Sequence, residues 1–316
     1  MAEGVGVVNG MTTTVVIPTL NRPAMVRRCI ESILRGERQP ERIVVCDQSA
    51  GAAASETRRL VEGVTARGVQ VAYLHLRAPS ASAARNRGLD AARTDLVAFI
   101  DDDCTADERW LAALVGTYES VSDDVPVSAV TGRVLPMRGG GGGVAVSSRT
   151  STERRLFNGR DGSMERGEWA PWDAGTGGNI LAPRTTMLAI GGFDPSLGPG
   201  SAGAAAEDID LLYRLARMGT IVYEPDAVVY HPLSTHRARL LSRYRYGRGM
   251  GAMLARHLAR KDPAARQLLL LYVRHQGAQA LRRGVLGPVE TLLSLAGVSV
   301  PVTRYWAGTL RQRREQ

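Results

Sequence analysis

Short apolar, β-branched runs alternate with helical patterns over the first hundred residues, and this alternation limits the fold more than any other feature. Strands are predicted over 12–18, 42–47, 69–76 and 96–100. Helices are predicted between them, over 22–35, 56–66 and 80–92. Gly36 closes the first helix, and Ser80 or Ser82 can cap the third. Strands and helices at this spacing form right-handed crossovers, so the sequence predicts an α/β protein with a doubly wound, mostly parallel sheet.

The pattern is less regular after residue 100. We predict a helix over 108–120, followed by strands over 127–134 and 179–182. A helix over 209–217 and short strands over 221–223 and 228–231 are predicted after them. Residues 138–143 read as a glycine loop, and 198–206 as a small-residue loop that could act as a lid. Residues 144–172 have no clean period, and we expect them to cross the active face.

Charge divides the chain into an almost neutral body and a basic tail. The net charge of the 316 residues is +9. Residues 236–316 carry 16 Lys/Arg against 3 Asp/Glu, a net charge of +13. Residues 1–235 therefore carry 24 Lys/Arg against 28 Asp/Glu, a net charge of −4. We expect a leader over 1–11, an α/β domain over 12–235 and a basic helical extension over 236–316. Gly247, Gly249 and Gly251 should weaken the first helix of that extension.

The basic extension fits two roles equally well. Its basic amphipathic helix and the apolar but broken segment 285–302 suit the surface of an anionic membrane, although that segment is too interrupted to span one. A helical cap or a dimer interface is the alternative. Nucleic-acid binding is not expected, because the extension lacks both a motif and interleaved aromatic residues.

Cysteine usage and the start of the chain bear on its compartment. Cys29, Cys46 and Cys104 are far apart and without CxxC spacing, which argues against a disulfide framework and against a zinc site. Residues 1–11 lack the basic start and long apolar run of a secretory signal. We therefore expect a cytoplasmic protein, peripheral on the inner face of the membrane if the extension binds lipid.

Polar groups follow three of the predicted strands, at 18–22, 47–49 and 101–103. Ligands of doubly wound sheets bind beyond the carboxyl ends of the strands, so the three groups should line one rim. Asp101, Asp102 and Asp103 are costly to bury together unless a cation shares their site. The sequence therefore predicts a divalent metal there, placed to bind a diphosphate.

Seven short segments together resemble the family 2 glycosyltransferases of the GT-A fold. They are VVIPTLNR (15–22), VVCD (44–47), ARNRG (84–88), FIDDD (99–103), GGN (177–179), GGFD (191–194) and EDIDL (207–211). The resemblance covers about residues 12–232, and residues 245–258 also look like the tail of some bacterial members. It implies transfer of a sugar from a nucleotide-diphosphate sugar, with UDP or dTDP favoured, to a hydroxyl acceptor that could be lipid-linked or a cell-envelope glycan.

The resemblance also assigns roles on the donor side. Asp103 would ligate Mg²⁺ or Mn²⁺ with His231 as an additional ligand, while Asp101 or Asp102 faces the ribose or the sugar. Asp47 would recognise the base, and Arg85 would either reach a donor phosphate or pair with an Asp. The first loop would approach the nucleotide through Pro18, Thr19, Asn21 and Arg22.

On the acceptor side, Asp208 is expected to be the general base of an inverting transfer, because a carboxylate must take the proton of the attacking hydroxyl. Glu207, Trp172, Gly178 and Asn179 are expected to contact the acceptor. Ordinary structural roles stay open for these positions, such as core packing for the Trp and helix capping for the two acids.

Two other functions fit parts of the pattern. A sugar-1-phosphate nucleotidyltransferase also has an α/β sheet and an acidic metal site. However, no glycine-rich phosphate loop with a following Lys appears after the first strand, and Lys261 is the only lysine in the chain. A non-catalytic binding protein on the same fold is the other alternative, and the presence of both Asp103 and Asp208 argues against it.

Overall fold

The computed structural model describes residues 10–66, 68–137, 150–282 and 287–314. Its strands are β1 Thr13–Thr19, β2 Arg42–Asp47, β3 Gln70–His75, β4 Leu96–Ile100, β5 Thr105–Ala106, β6 Val127–Pro136, β7 Arg155–Asn158, β8 Asn179–Pro183 and β9 Thr220–His231. Its helices are α1 Pro23–Leu34, α2 Gly51–Glu62, α3 Ala81–Ala91, α4 Trp110–Ser122, α5 Pro171–Ala174, α6 Arg184–Ala189, α7 Glu207–Ala216, α8 His236–Ala259, α9 Ala264–Arg282 and α10 Gly287–Arg314.

The first four strands form the parallel half of the sheet. β1 lies between β2 and β4, β3 lies beyond β2, and all three pairings are parallel. β1 and β4 are buried along their whole length, as the continuous apolar runs predict. Because Thr19 pairs with Asp47 in register, the ends of β1 and β2 lie at the same edge of the sheet. The α/β prediction is confirmed, and α2 begins earlier than expected.

The second half of the sheet is mixed. The strand order is β3-β2-β1-β4-β8-β6-β9-β5, with β7 also paired to β9. β8 runs antiparallel to both β4 and β6, while β6 and β9 are parallel. The two short strands expected over 221–231 are one strand, β9, whose register with β6 shifts near Gly132. The expected glycine loop at 138–143 and residues 1–9 of the expected leader lie outside the described residues.

The helix that follows β3 lies very close to the sheet. Ser80 caps α3, as the sequence predicts, by accepting a hydrogen bond from the amide of Ala83 at 3.3 Å. A Cβ at Gly88 would collide with the side chain of Val16 on β1. The glycine therefore allows α3 to approach β1 closely, and this fixes the position of Arg85 on the same helix.

The three C-terminal helices pack against one another and against the α/β body. The α8 glycines, expected to weaken the helix, instead lie at its closest contacts. A Cβ at Gly247 would meet the carbonyl oxygen of Ser294 on α10, and one at Gly251 would lie 2.6 Å from the carbonyl oxygen of Val298. In the described parts of the chain, no helix combines the length and apolarity needed to cross a membrane.

Candidate functional site

A cleft of about 1140 Å³ opens at the carboxyl ends of β1 and β4. One side of it is formed by the loop after β1 and by the three consecutive aspartates after β4. The start of α7, the turn before β8 and the C-terminal helices also line it. The cleft thus joins segments that are distant in the sequence.

Asp102 and Asp103 are held by residues of the first loop. The hydroxyl of Thr19 donates to Oδ2 of Asp102 at 2.6 Å. The Arg22 guanidinium lies 3.1 Å from Oδ1 of Asp102 and 2.8 Å from Oδ2 of Asp103. Burial raises the pKa of Asp102 to about 6, although the Thr19 hydrogen bond and the Arg22 charge oppose the shift. The first loop and the aspartates therefore form one polar cluster, as their positions after adjacent strands predict.

Arg85 connects the aspartate cluster to the start of α7. Its guanidinium donates to Oδ1 of Asp101 at 2.7 Å and to Oε1 of Glu207 at 3.0 Å, and it lies over the ring of Phe193. The Arg85 side chain is almost fully buried. Of the two roles left open for Arg85, this geometry corresponds to pairing with an acid. A buried guanidinium with two carboxylates in fixed directions makes a rigid link.

The carboxylate of Asp208 is oriented by two backbone amides. Oδ1 accepts from the amide of Ile209 at 2.9 Å, and Oδ2 accepts from that of Gly177 at 3.4 Å. Burial raises the pKa of Asp208 above its ordinary value, while the nearby Arg85 charge opposes the shift. Burial and then the charge of Asp208 likewise raise the pKa of Glu207. A carboxylate with a raised pKa is a stronger base, so the site can take up a proton at Asp208.

The backbone before α7 is constrained. Ala206 adopts a left-handed conformation with a φ of 67°, which costs a non-glycine residue roughly 1–2 kcal/mol. The preceding loop is contacted on both sides, because Pro199 accepts a hydrogen bond from the amide of Ala81 and Ala205 contacts Gly249 on α8. The expected loop at 198–206 is therefore packed between α3 and α8.

Asp103 and His231 are suited to share a cation. Nδ1 of His231 lies 2.7 Å from the carbonyl oxygen of Pro232, which can only accept, so Nδ1 carries the proton and Nε2 presents a lone pair. That lone pair lies 3.7 Å from Oδ1 of Asp103. Within the described ranges, no three His, Cys, Asp or Glu side chains form a ready-made metal site. The pair would supply two ligands, and Mg²⁺ commonly takes its others from water and substrate phosphates.

Two of the expected contact residues are buried and hydrogen-bonded to other parts of the protein. Asn179 is fully buried, accepts from the indole of Trp110 at 2.9 Å, and donates to the carbonyls of Arg133 and Ala227 at 3.1 and 2.9 Å. Its polar atoms are therefore not available to an acceptor. Asp47 is also fully buried, and its oxygens accept from the Ser49 amide and the Tyr73 hydroxyl. Asn21, in the loop after β1, has an exposed side chain and a left-handed backbone with a φ of 59°, and its amide donates to the Ser49 hydroxyl at 2.7 Å.

The remaining predicted positions line the cleft. Pro18 lies near the end of β1, and Trp172 lies against the C-terminal helices, where its ring contacts those of Tyr272 and His275. Gly178 is required next to Asp101, because a Cβ there would collide with the Asp101 carboxylate.

Residues of α8 and α9 also line the cleft, among them Tyr246, and this role was not predicted from the sequence. The resemblance of residues 245–258 to the tail of some family members was the available signal.

Two curated relatives and one solved structure resemble this chain. Succinoglycan biosynthesis protein ExoM of Rhizobium meliloti (strain 1021) is 30% identical over 248 residues, which are 75% of this chain and 73% of that protein. The Pre-mycofactocin glycosyltransferase of Mycobacterium tuberculosis (strain ATCC 25618 / H37Rv) is 32% identical over 255 residues, which are 79% of this chain and 49% of that protein. The chain thus spans about half the length of the mycobacterial relative.

The fold of the chain is that of solved glycosyltransferases. The mannosyltransferase of Pyrobaculum calidifontis in complex with GDP-Man and Mn²⁺ superimposes with a TM-score of 0.57 at 19% identity, over 96% of this chain and 81% of that one. The profile of the family described as "Glycosyl transferase family 2" matches residues 14–138. The chain therefore belongs to glycosyl transferase family 2.

Proposed function

We propose that this chain is a metal-dependent, inverting glycosyltransferase that moves a sugar from a nucleoside diphosphate sugar to a hydroxyl acceptor. The observation that carries the proposal is the convergence of the aspartate cluster and the amide-oriented Asp208 in one cleft. Glycosyl transfer itself follows from the family. The cation, the stereochemical course and the acceptor are inferred from the residues of the cleft.

The charge balance around the three aspartates and the start of α7 supports a bound cation. This region contains five carboxylates, those of Asp101, Asp102, Asp103, Glu207 and Asp208. Two guanidinium groups, those of Arg22 and Arg85, contact them, so the formal charges of these seven side chains sum to −3. A donor diphosphate would add negative charge to a site that is already acidic. Asp103 and His231 would hold Mg²⁺ or Mn²⁺, and the ion would supply charge neutralisation for the departing diphosphate.

The other steps of the transfer are assigned to side chains of the cleft. Asp208 removes the proton of the acceptor hydroxyl, and its two amide hydrogen bonds keep the carboxylate oriented while it does so. Arg85 positions Asp101, the first of the three aspartates, and Glu207, the first residue of α7. Arg22, whose side chain is about half exposed, is free to leave Asp103 as the donor binds. One displacement with one base gives inversion at the anomeric carbon.

The nucleotide and the location of the enzyme are part of the same proposal. We favour UDP or dTDP as the leaving nucleotide, as the family resemblance implies, in a cytoplasmic enzyme. With Asp47 occupied by Ser49 and Tyr73, base recognition would fall to other groups of this rim, such as Gln48, which lines the cleft.

Exposed groups on the C-terminal helices support association with an anionic membrane on its inner face. Three leucines on these helices are well exposed: Leu270 and Leu281 on α9, and Leu292 on α10. Two arginines of α9 are also exposed, Arg266 and Arg274. Such a surface combines apolar insertion with attraction to acidic lipids. A lipid-linked or cell-envelope acceptor would be presented there. Binding to phosphatidylglycerol vesicles should exceed binding to phosphatidylcholine vesicles, and R266E/R274E should lose it.

The matched control for vesicle binding is R27E/R28E, which makes the same charge change on exposed residues of α1. Equal binding by both double variants would remove this surface from the proposal. So would an absence of vesicle binding at low salt.

Activity is tested with purified protein, a panel of nucleoside diphosphate sugars and Mn²⁺. We expect release of nucleoside diphosphate, loss of that release on chelation, and a product with inverted anomeric configuration by NMR. D103N should need a much higher Mn²⁺ concentration, whereas D226N, at an exposed carboxylate outside the cleft, should behave as wild type. Release of pyrophosphate would favour the nucleotidyltransferase, and no turnover with any donor would favour a binding protein.

A further inference from the structure

The first helix of the C-terminal extension is docked directly against the start of α7. A Cβ at Gly249 would collide with the backbone of Ala205, two residues before Glu207. Arg256, two turns further along α8, pairs with Asp194. Gly247 and Gly251 fix the other side of α8 against α10. Because its neighbours hold it on both sides, α8 is a fixed part of the cleft wall.

Tyr246 extends from this helix into the cleft that contains Asp208. Both residues line the same cavity, and Tyr246 is one turn before Gly249, the point where α8 meets the α7 segment. Although 42% of Tyr246 is exposed, its position inside the cleft desolvates the phenol, and this, followed by the negative charges of Asp208 and Glu207, raises its pKa to about 12. The phenol therefore stays protonated at neutral pH, so it can donate one hydrogen bond and accept another.

The wall beyond Tyr246 combines ring faces with amide groups. Trp172 lies edge-on to Tyr272, with ring centroids 5.8 Å apart, and 5.9 Å from the ring of His275. Gln276 and Gln279 of α9 line the same part of the cleft. Arg239 and Arg243 lie against Glu290, at 2.7 and 3.3 Å, and Arg245 also lines this part of the cleft. Ring faces with amide and guanidinium donors fit a hydroxyl-rich ring.

We propose that α8 and α9 form the acceptor subsite, that the acceptor is a sugar ring, and that the Tyr246 hydroxyl holds its reacting hydroxyl beside Asp208. This inference rests on the proposed glycosyl transfer. The proposed donor site is built from the aspartates after β4 and the loop after β1, so loss of the Tyr246 hydroxyl should affect the acceptor and spare the donor. No acid or metal ligand is altered in such a variant.

The matched pair Y246F and Y244F tests the role of the hydroxyl. Each substitution removes one phenol oxygen from α8, but Tyr244 does not belong to the cleft lining. With the active donor, Mn²⁺ and a panel of methyl and octyl pyranosides, we expect Y246F to lower kcat/KM for the acceptor about tenfold, the typical value of one hydrogen bond. The donor KM should not change, and Y244F should match wild type.

Several outcomes would overturn the inference. Equal acceptor kinetics for Y246F and wild type would remove Tyr246 from the subsite, as would a change in the donor KM alone. If wild type hydrolyses the donor but transfers sugar to none of the pyranosides, the sugar-ring acceptor is wrong while glycosyl transfer stands. If wild type neither hydrolyses nor transfers, the proposed function itself fails. Circular dichroism and Tm of both variants should match wild type.

Discussion

The two halves of the cleft are built in different ways. On the donor side, the polar groups directly follow apolar strands that are adjacent in the sheet, so local sequence determines where they lie. On the acceptor side, Trp172, Tyr246 and Tyr272 come from three separate helices that meet only through tertiary packing. Strand ends specify the first kind of site, whereas close contacts at small residues specify the second.

The chemistry of the two halves differs in the same way. The half proposed to bind the donor is acidic and rigid, because Arg22 and Arg85 cross-link its carboxylates. The half proposed to bind the acceptor combines aromatic rings with arginines, two of which lie against Glu290. Asp208 lies between them, with its amide contacts from the turn before β8 and from α7 itself. A change at Asp208 should therefore stop turnover while leaving both binding surfaces in place.

The largest effect is expected for D208N. Removing a general base typically lowers the rate by about 10²–10⁴-fold. The amide is nearly the same size as the carboxylate, so donor affinity with Mn²⁺, measured by calorimetry, should stay close to that of wild type. The control variant is D210N, which makes the same change two residues later. There the carboxylate pairs with Arg214 and His257 outside the cleft. Normal turnover by D208N would assign the base elsewhere.

The pH dependence of turnover should show the raised pKa of Asp208. Its ionised form is the base, so kcat/KM should fall about tenfold per pH unit below that pKa. Because burial raises the pKa, the fall begins at a higher pH than an exposed Asp would give. Glu207 titrates with it, so the profile reports the pair. An acid limb at the pH of an ordinary Asp would contradict the burial of Asp208.

Stability should follow the opposite trend. A folded-state pKa above the unfolded value stabilises the fold most at pH below the unfolded pKa, and this contribution is lost as pH rises through the folded pKa. Ionising Asp208 and Glu207 thus favours catalysis and disfavours folding over the same pH range. Urea unfolding of D208N should be less sensitive to pH over this window than that of wild type.

The contrast between the halves also explains what the sequence could predict. Strands such as β2 and β4 were predicted with their observed bounds. A short apolar run between turn residues indicates a buried strand without any information about distant residues. Asn179 was predicted to contact the acceptor, but a motif does not reveal that its side chain is hydrogen-bonded to Trp110, Arg133 and Ala227. From the sequence, Gly247 was expected only to destabilise the helix, because its close contact with Ser294 on α10 cannot be predicted from neighbouring residues. Non-local contacts of this kind have no periodic pattern in the sequence.

A smaller effect is expected for G247A, which tests the packing of the acceptor half. The added Cβ would collide with the backbone of Ser294, and forcing atoms into a packed contact costs about 1–3 kcal/mol. KM for the acceptor should rise with the shift of α8, and KM for the donor should stay the same. G277A is the control on α9, where no described atom lies within 4 Å of the new Cβ, and it should be neutral or stabilising by up to about 1 kcal/mol. Equal stability of the two variants would show that the glycine contact does not hold α8.

The smallest effects should come from helix caps, one in each half. The Ser80 hydroxyl accepts from the Ala83 amide at the start of α3, and the Thr235 hydroxyl accepts from the Ala238 amide at the start of α8. S80A and T235A should each cost about 1 kcal/mol by denaturant unfolding. Hydrogen exchange then shows whether the halves unfold together. If they are one cooperative unit, both variants accelerate exchange of the slowest amides of β1 and β4 equally. If α8 to α10 open separately, T235A accelerates exchange in those helices alone, and the acceptor side could detach while the donor side stays folded.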